Sequence, residues 1–394
     1  MREPESELEQ LQEQHLHRVL NHGRNTDGGE FTSPPGYFLN FSSNDYLGLA
    51  KSPELKSAAT AAIEKFGVGS TASRLLCGGS SAHRDLESKA AEFFGTEAAL
   101  YFANGYTAAV GTLVAIIKKG DTVILDKSCH ACLIDGARLS GATIRVFPHN
   151  NLTKLERLLA TTCKESTDDS RVIVITESVF SMDGDTSPLP EIIDLKNRFG
   201  ALLLVDEAHA FGVLGPCGRG LSHQIGQSDS VDFLMVTFGK AAGAAGGVVA
   251  ASSRWIDLII NRARSFIYST APLHAQAAAA LAGLCMIEGA AGERRREILT
   301  GNAALLCREL GIKLPAAAIV PLILGEETSA LQASAVLQDA GLMVPAIRYP
   351  TVARGSARLR ISLSASHSEG DIHMLASNLG RLFSTGKLTL ANNP

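Results

Sequence analysis

From about residue 52 the chain alternates between two textures. Stretches with apolar residues three and four apart, at 53–66, 83–94, 105–118, 128–140, 151–162 and 189–199, predict helices. Between them lie short runs rich in β-branched residues or leucine, at 123–126, 144–147, 172–177, 202–206, 233–238 and 247–251. These runs are apolar on both faces, so they predict strands of a largely parallel sheet covered on both sides, with helices as crossovers. Ahead of them, residues 6–22 space Leu8, Leu11, Leu16 and Val19 like a short polar helix. A Gly/Pro-rich link follows from Gly28 to Gly36, and residues 37–41 read as a strand. After about residue 288 the texture changes. Arg294-Arg295-Arg296 opens a helix, and strand candidates at 319–324 and 358–363 bracket a helix at 329–340. The predicted organisation is an N-terminal helix and extended segment over 1–50, a large α/β domain over 51–287 and a small α+β domain over 288–394.

Composition narrows the class. Apolar residues make up 45% of the 394 and charged residues 19%, which excludes wholesale disorder. Lys plus Arg is 36 against 40 for Asp plus Glu, and no dense basic stripe occurs, so nucleic acid is not an expected partner. The longest apolar runs, 241–251 and 277–287, fall short of the roughly 18 residues that suggest a membrane span. Membrane is therefore not an expected partner either. Glu3, Glu5, Glu7 and Glu9 stand where a signal peptide would carry a basic and then an apolar region. Seven cysteines, an odd number scattered along the chain, suit free thiols, and the expected location is the cytoplasm.

Three short motifs lack the context their chemistry needs. Gly67-Val68-Gly69-Ser70-Thr71-Ala72 matches a loose dinucleotide fingerprint but follows a helical pattern instead of a strand. Asp206-Glu207-Ala208-His209 spells a helicase nucleotide box, yet no GxxxxGK[ST] loop exists to partner it. Cys129-His130-Ala131-Cys132 is a single CxxC without a second pair, which leaves a zinc ligand set incomplete.

A different set of residues is coherent. Lys240 follows the run 234–238 and enters a small-residue stretch, where it reads either as a solvated charge or as an amine desolvated at a sheet edge and able to capture an aldehyde. Asp206 ends a strand, where open α/β sheets place ligand-contacting groups, although capping the next turn would also explain it. His209, three residues on, can face the same crevice or be a structural histidine. Gly105-Tyr106-Thr107 opens a helix whose exposed N–H groups suit a phosphate. A lysine amine, an acid for a pyridinium nitrogen and a helix start for a phosphate together describe a pyridoxal phosphate site.

Five ordered motifs then resemble one family, the α-oxoamine synthases. They are Leu39-Asn40-Phe41-Ser42-Ser43-Asn44-Asp45-Tyr46-Leu47-Gly48-Leu49, Thr176-Glu177-Ser178-Val179-Phe180-Ser181-Met182-Asp183-Gly184-Asp185, Val205-Asp206-Glu207-Ala208-His209, Thr237-Phe238-Gly239-Lys240 and Ile267-Tyr268-Ser269-Thr270. The likeness implies an α/β, aspartate-aminotransferase-like architecture (fold type I of the pyridoxal phosphate-dependent transferases), a mostly parallel sheet in a large domain plus a smaller C-terminal α+β domain. It also implies pyridoxal 5'-phosphate as cofactor and a homodimer with shared active sites. Ala346-Ile347-Arg348-Tyr349-Pro350-Thr351-Val352 and Ala357-Arg358-Leu359-Arg360-Ile361-Ser362-Leu363 resemble the branch that condenses L-alanine with a pimeloyl thioester to 8-amino-7-oxononanoate, in biotin biosynthesis. A relative using glycine or serine with another acyl-CoA, and a catalytically silent subunit, are the alternatives.

The roles implied by the resemblance are as follows. Lys240 holds the cofactor and moves a proton, Asp206 keeps the pyridine nitrogen protonated, and His209 with Ser181 bonds the phenolic oxygen. His130 stacks on the ring, unless it merely caps a helix. Gly105, Tyr106 and Thr237 hold the phosphate, and Ser269 and Thr270 reach it from the neighbouring subunit. Arg360 grips the amino acid carboxylate, a role that a solvated face for Arg358 and Arg360 would contradict. Arg18, Asn44, His130 and Thr351 contact substrate. No metal is expected. The stretch Ala241-Ala242-Gly243-Ala244-Ala245 departs from the family pattern, which carries more glycine and a bulkier residue there.

Overall fold

The computed structural model describes residues 4–14, 16–18, 20, 23–25, 29–33, 36–165 and 169–384; Glu3, Val19 and Gly28 lie outside the described residues. The chain divides into two units, one of Asn44–Ile298 and one of Met1–Ser43 with Leu299–Pro394. This differs from the division expected at 50 and 287. The later boundary falls inside one continuous helix, Ala290–Leu310, whose sequence carries no break to mark it.

Among the described residues of the unit 44–298, the six predicted runs and a further strand at 98–102 form seven strands: β1 (Ala98–Phe102), β2 (Thr122–Asp126), β3 (Thr143–Phe147), β4 (Val172–Glu177), β5 (Leu202–Asp206), β6 (Phe233–Thr237) and β7 (Gly247–Ala251). Their order across the sheet is β1-β7-β6-β5-β4-β2-β3. The pairs from β6 to β3 are parallel, while β7 runs antiparallel to both neighbours. Every residue of β4 and β7 is buried, as continuous apolar runs require when both faces are covered. Leu113, Val123, Ile175, Leu204, Phe233 and Val249 belong to one core cluster. Each such side chain contributes about 1.5–3 kcal/mol by leaving water, which holds the register firmly. The run 277–287 lies in a helix, His274–Glu288, which packs on the helix Pro53–Phe66, where the Phe66 and His274 rings meet with centroids 5.1 Å apart. Among the described residues no single helix is long and apolar enough to cross a membrane.

The expected helix over 128–140 begins at Ala131, and among the described residues the one expected over 6–22 spans Pro4–Glu13. The connection from β6 to β7 is a turn with no helix, so Lys240 does not start one.

In the other unit, Gly36–Asn40 pairs antiparallel with Glu30–Ser33 and parallel with Leu342–Met343. The Gly/Pro-rich link thus contains a strand. Ile319–Gly325, Ala357–Ser362 and Ala346–Ile347 form a three-stranded sheet, with the helices Glu327–Asp339 and Glu369–Ser384 in the same unit. The N-terminal segment belongs here because His367 holds it: its Nε2 lies 3.0 Å from the Asn40 carbonyl, and its ring packs on Phe41.

Candidate active site

Four of the five parallel strands end in Asp126, Glu177, Asp206 and Thr237, and these tips collect along one edge of the sheet. Register pairs Glu177 with Asp206 on adjacent strands. Asp206 is 5% exposed and Glu177 2%, so two carboxyls lie side by side away from water. Burial, and then the Asp206 charge, push Glu177 up to about 8, although Lys240 and the N–H groups of His130 and Ser181 oppose the rise. Burial also raises Asp206, against the nearby Lys240 ammonium and the Ala208 N–H, which donates to its Oδ1 at 2.9 Å. Asp206 therefore also holds the turn after its strand.

Lys240 stands in the turn after β6, where Phe238, Ala241 and Ala242 are buried. The small residues here have a packing reason. Gly243 has φ +64°, and a Cβ there would lie 2.4 Å from the Ala50 nitrogen. The Lys240 Nζ is 2.8 Å from His209 Nε2, and His209 Nδ1 is 2.6 Å from the Tyr46 hydroxyl. Tyr46 in turn donates to Asn44 Oδ1 at 3.1 Å. An ammonium can only donate, so His209 accepts at Nε2 and its Nδ1–H donates to Tyr46. Lys240, His209, Tyr46 and Asn44 form one directed chain.

The helix Gly105–Ile116 meets the same edge. Asn104 caps it by accepting from the Thr107 N–H at 2.8 Å, which leaves the first-turn N–H groups of Gly105 and Tyr106 without helical partners. Because β7 is antiparallel, its first residue, Gly247, pairs with both Phe102 and Thr237. A Cβ on Gly247 would lie 2.7 Å from the Gly105 Cα, and one on Gly105 would lie 3.3 Å from the Thr237 Cβ. Two glycines thus let a helix start close on the Thr237 side chain, a cradle in which a phosphate fits.

His130 is the N-cap of the helix Ala131–Ser140; the capping reading and a site role coexist. Its N–H donates to Glu177 Oε1 at 2.5 Å, tying it to the carboxyl pair. Burial lowers its pKa, with the Lys240 charge in the same direction and Asp206 opposed. Ser181 is buried in the turn after β4. Ser269 and Thr270 are exposed, beside the exposed Tyr268.

Structure thus gathers Lys240, Asp206, His209, Asn44 and His130 into contact or near charge, and Thr237 with Gly105. Arg18, Thr351 and Arg360 belong to the other unit, where Arg18 and Thr351 are exposed and Arg360 is buried. Sequence reasoning did not single out Glu177 or Tyr46, although both stood in the quoted motifs. Their signals were an acid ending an apolar strand and a tyrosine two residues from Asn44.

The family described as aminotransferase class I and II matches residues 37–379. The chain belongs to that family. This class I and II aminotransferase member is 42% identical, over 95% of its length and 96% of the relative's, to an 8-amino-7-oxononanoate synthase from Geobacter sulfurreducens. Its structure is similar to a variant serine palmitoyltransferase from S. paucimobilis solved with PLP bound (TM-score 0.89, 28% identity, 97% of each chain). It is also similar to an 8-amino-7-oxononanoate synthase from Francisella tularensis (TM-score 0.75, 26% identity, 89% of this chain and 99% of that one). The fold is type I of the pyridoxal phosphate-dependent transferases, as the motifs implied.

Proposed function

We propose that the protein joins L-alanine to a pimeloyl thioester with loss of carbon dioxide, giving 8-amino-7-oxononanoate for biotin synthesis. The observation that carries this reading is the near-full-length likeness to synthases of that name, at 42% identity for the Geobacter protein. The site supports it, because an amine, a buried acid and a glycine cradle suit pyridoxal 5'-phosphate, which supplies when bound an aldehyde for amines and a ring that accepts an electron pair.

Each residue then has a task. Lys240 would hold the cofactor through its aldehyde, and its Nζ would take the alanine α-proton. His209, braced by Tyr46, keeps that amine in place and with Ser181 faces the phenolic oxygen. Asp206 carries the negative charge that a protonated ring nitrogen needs. Glu177, largely neutral near pH 7, spares Asp206 a second adjacent charge. His130 would stack on the ring, while the Gly105 and Tyr106 N–H groups and the Thr237 side chain would hold the phosphate. The alanine Cα then bonds to the thioester carbonyl carbon and the carrier leaves as a thiolate, which takes a proton from solvent. The carboxylate departs as carbon dioxide, and a proton returns to Cα from Lys240. Arg360 is the carboxylate's partner, and Arg18, Asn44 and Thr351 are proposed substrate contacts. The carrier is coenzyme A or a carrier protein.

The working form in this reading is a homodimer with Ser269 and Thr270 lent to the neighbouring site. Val68, Leu76 and Tyr268 are 71%, 80% and 73% exposed. Their loops adjoin through the Ala271 N–H, which donates to the Ala72 carbonyl at 2.9 Å. Seven free cysteines suit a cytoplasmic location.

A second reading, serine with a long acyl-CoA, is favoured by the likeness to the palmitoyltransferase fold. Purified protein offered alanine, glycine and serine against pimeloyl, acetyl, succinyl and palmitoyl thioesters separates the two. The expected result is at least about tenfold higher kcat/KM for alanine with pimeloyl thioester, about 1.4 kcal/mol of discrimination. Preference for serine and palmitoyl-CoA would replace the reading. Lys240→Ala should fold, lack the cofactor's yellow absorbance and show no turnover. Borohydride should fix the cofactor on Lys240 and on no other lysine.

A further inference from the structure

We infer that Cys132 is a positioning residue for His130: its amide and its thiol both donate to Nδ1, so the imidazole is held neutral with its single proton on Nε2. The amide is the deciding partner. The Cys132 N–H lies 3.2 Å from Nδ1 and can only donate, so Nδ1 must present its lone pair. The Cys132 Sγ stands 3.0 Å from the same nitrogen, and the residue is only 3% exposed. With Nδ1 already an acceptor, the thiol donates too, and the two donors share one lone pair.

The rest of the residue is equally fixed. Its own N–H donates to Glu177 at 2.5 Å, and its carbonyl accepts from the Leu133 N–H at 3.0 Å. Protonating Nδ1 would aim a new N–H at an amide that cannot accept, with sulfur as the only and weak substitute. The charged groups around the ring do not reverse this. Asp206 and Asp135 favour the imidazolium, but burial and Lys240 oppose it, and burial is the largest influence. Asp135 is itself engaged, accepting from the Tyr106 hydroxyl at 2.7 Å.

The inference rests on the proposed function only for its consequence there. A neutral imidazole can lie against a cationic pyridinium, whereas an imidazolium would place like charges face to face. The free Nε2–H is then a fixed donor available to substrate, and His130 is no proton shuttle.

The test is long-range proton–nitrogen NMR on the full-length protein with 15N-labelled histidine, with and without added pyridoxal phosphate. His130→Gln identifies the resonances. Expected is a bare Nδ1 and a protonated Nε2, persisting below the ordinary histidine pKa of about 6.5. Cys132→Ser should keep this tautomer. Cys132→Pro removes both donors at a first-turn position where proline is tolerated, and should give mixed tautomers with a midpoint moved up towards about 6.5. A wild-type ring protonated on Nδ1, or titrating normally, overturns the inference, and that measurement needs no substitution at Cys132. A Cys132→Pro ring identical to wild type would also overturn it. Because the tautomer is read without substrate, failure of the condensation assay leaves this result intact, and the reverse holds.

Discussion

Arg360 illustrates how far one residue can be read in advance. Alternation predicts that Arg358 and Arg360 share a face, and a solvated face would make both ordinary surface charges. Both are 5% exposed, which removes that explanation. The Arg360 Nη1 donates to the Ser362 hydroxyl at 2.8 Å, while Arg358 Nε donates to the Ser356 carbonyl at 3.1 Å. Two buried guanidiniums so close in sequence invite a direct comparison. In an alanine titration followed by cofactor absorbance, Arg360→Ala should need about 30-fold to several-thousand-fold more alanine, the equivalent of about 2–5 kcal/mol. Arg358→Ala should titrate like wild type, and Arg360→Lys should recover only part of the loss, because a point charge cannot form a paired contact. An unaltered Arg360→Ala curve would place the carboxylate partner elsewhere. At this scale the candidate residues Lys240, Asp206 and His209 were legible in the sequence, since they sit in short local motifs. The sequence concealed Tyr46, whose role depends on a hydrogen bond spanning 163 positions.

Elements show the opposite balance. The strands 172–177, 202–206 and 247–251 agree with their predicted bounds, because continuous apolar runs have few alternatives. The antiparallel direction of β7 was not legible, since a buried run looks the same in either direction, and it is this direction that brings Gly247 against Gly105. Contacts that join strand ends were equally hidden. His149, just after β3, bonds through Nδ1 to Asp126 at 3.1 Å and through Nε2 to Asp185 at 3.0 Å. It thereby links the ends of β2 and β3 to the turn after β4. Burial by itself would lower its pKa, but the two carboxylates together outweigh burial and raise it to about 10. An unfolded histidine releases its proton near 6.5. The folded state therefore binds a proton that the unfolded state does not between those values. The stabilisation is complete below about 6.5 and is lost as pH rises through about 10. Thermal unfolding from pH 6 to 10 should show a decline that His149→Gln flattens. An equal decline in the variant would assign it to other groups.

For the whole molecule, the motifs lent by the family likeness anticipated the fold class more fully than periodicity did. The division expected at 287 follows the change of texture at a helix start, while the two compact units part inside that helix. The proposed dimer belongs to this scale. Replacing Ser269 and Thr270 together with alanine should weaken cofactor retention while leaving Lys240 reactive to borohydride in excess pyridoxal phosphate. A fully active monomer in sedimentation at assay concentration would exclude sharing of sites.

The parallel pairing of Gly36–Asn40 with Leu342–Met343 also has a consequence for how the chain is made. A ribosome releases residue 40 long before residue 342, and about 300 residues at about 5–20 per second take roughly 15–60 s. During that interval the early strand has its hairpin partner but not its later one. The unit Asn44–Ile298 emerges as one uninterrupted stretch and can complete its sheet first. A nascent chain halted before residue 342 should therefore carry a finished seven-stranded sheet and an N-terminal strand still open to protease or chaperone, closed only when the last quarter of the protein arrives.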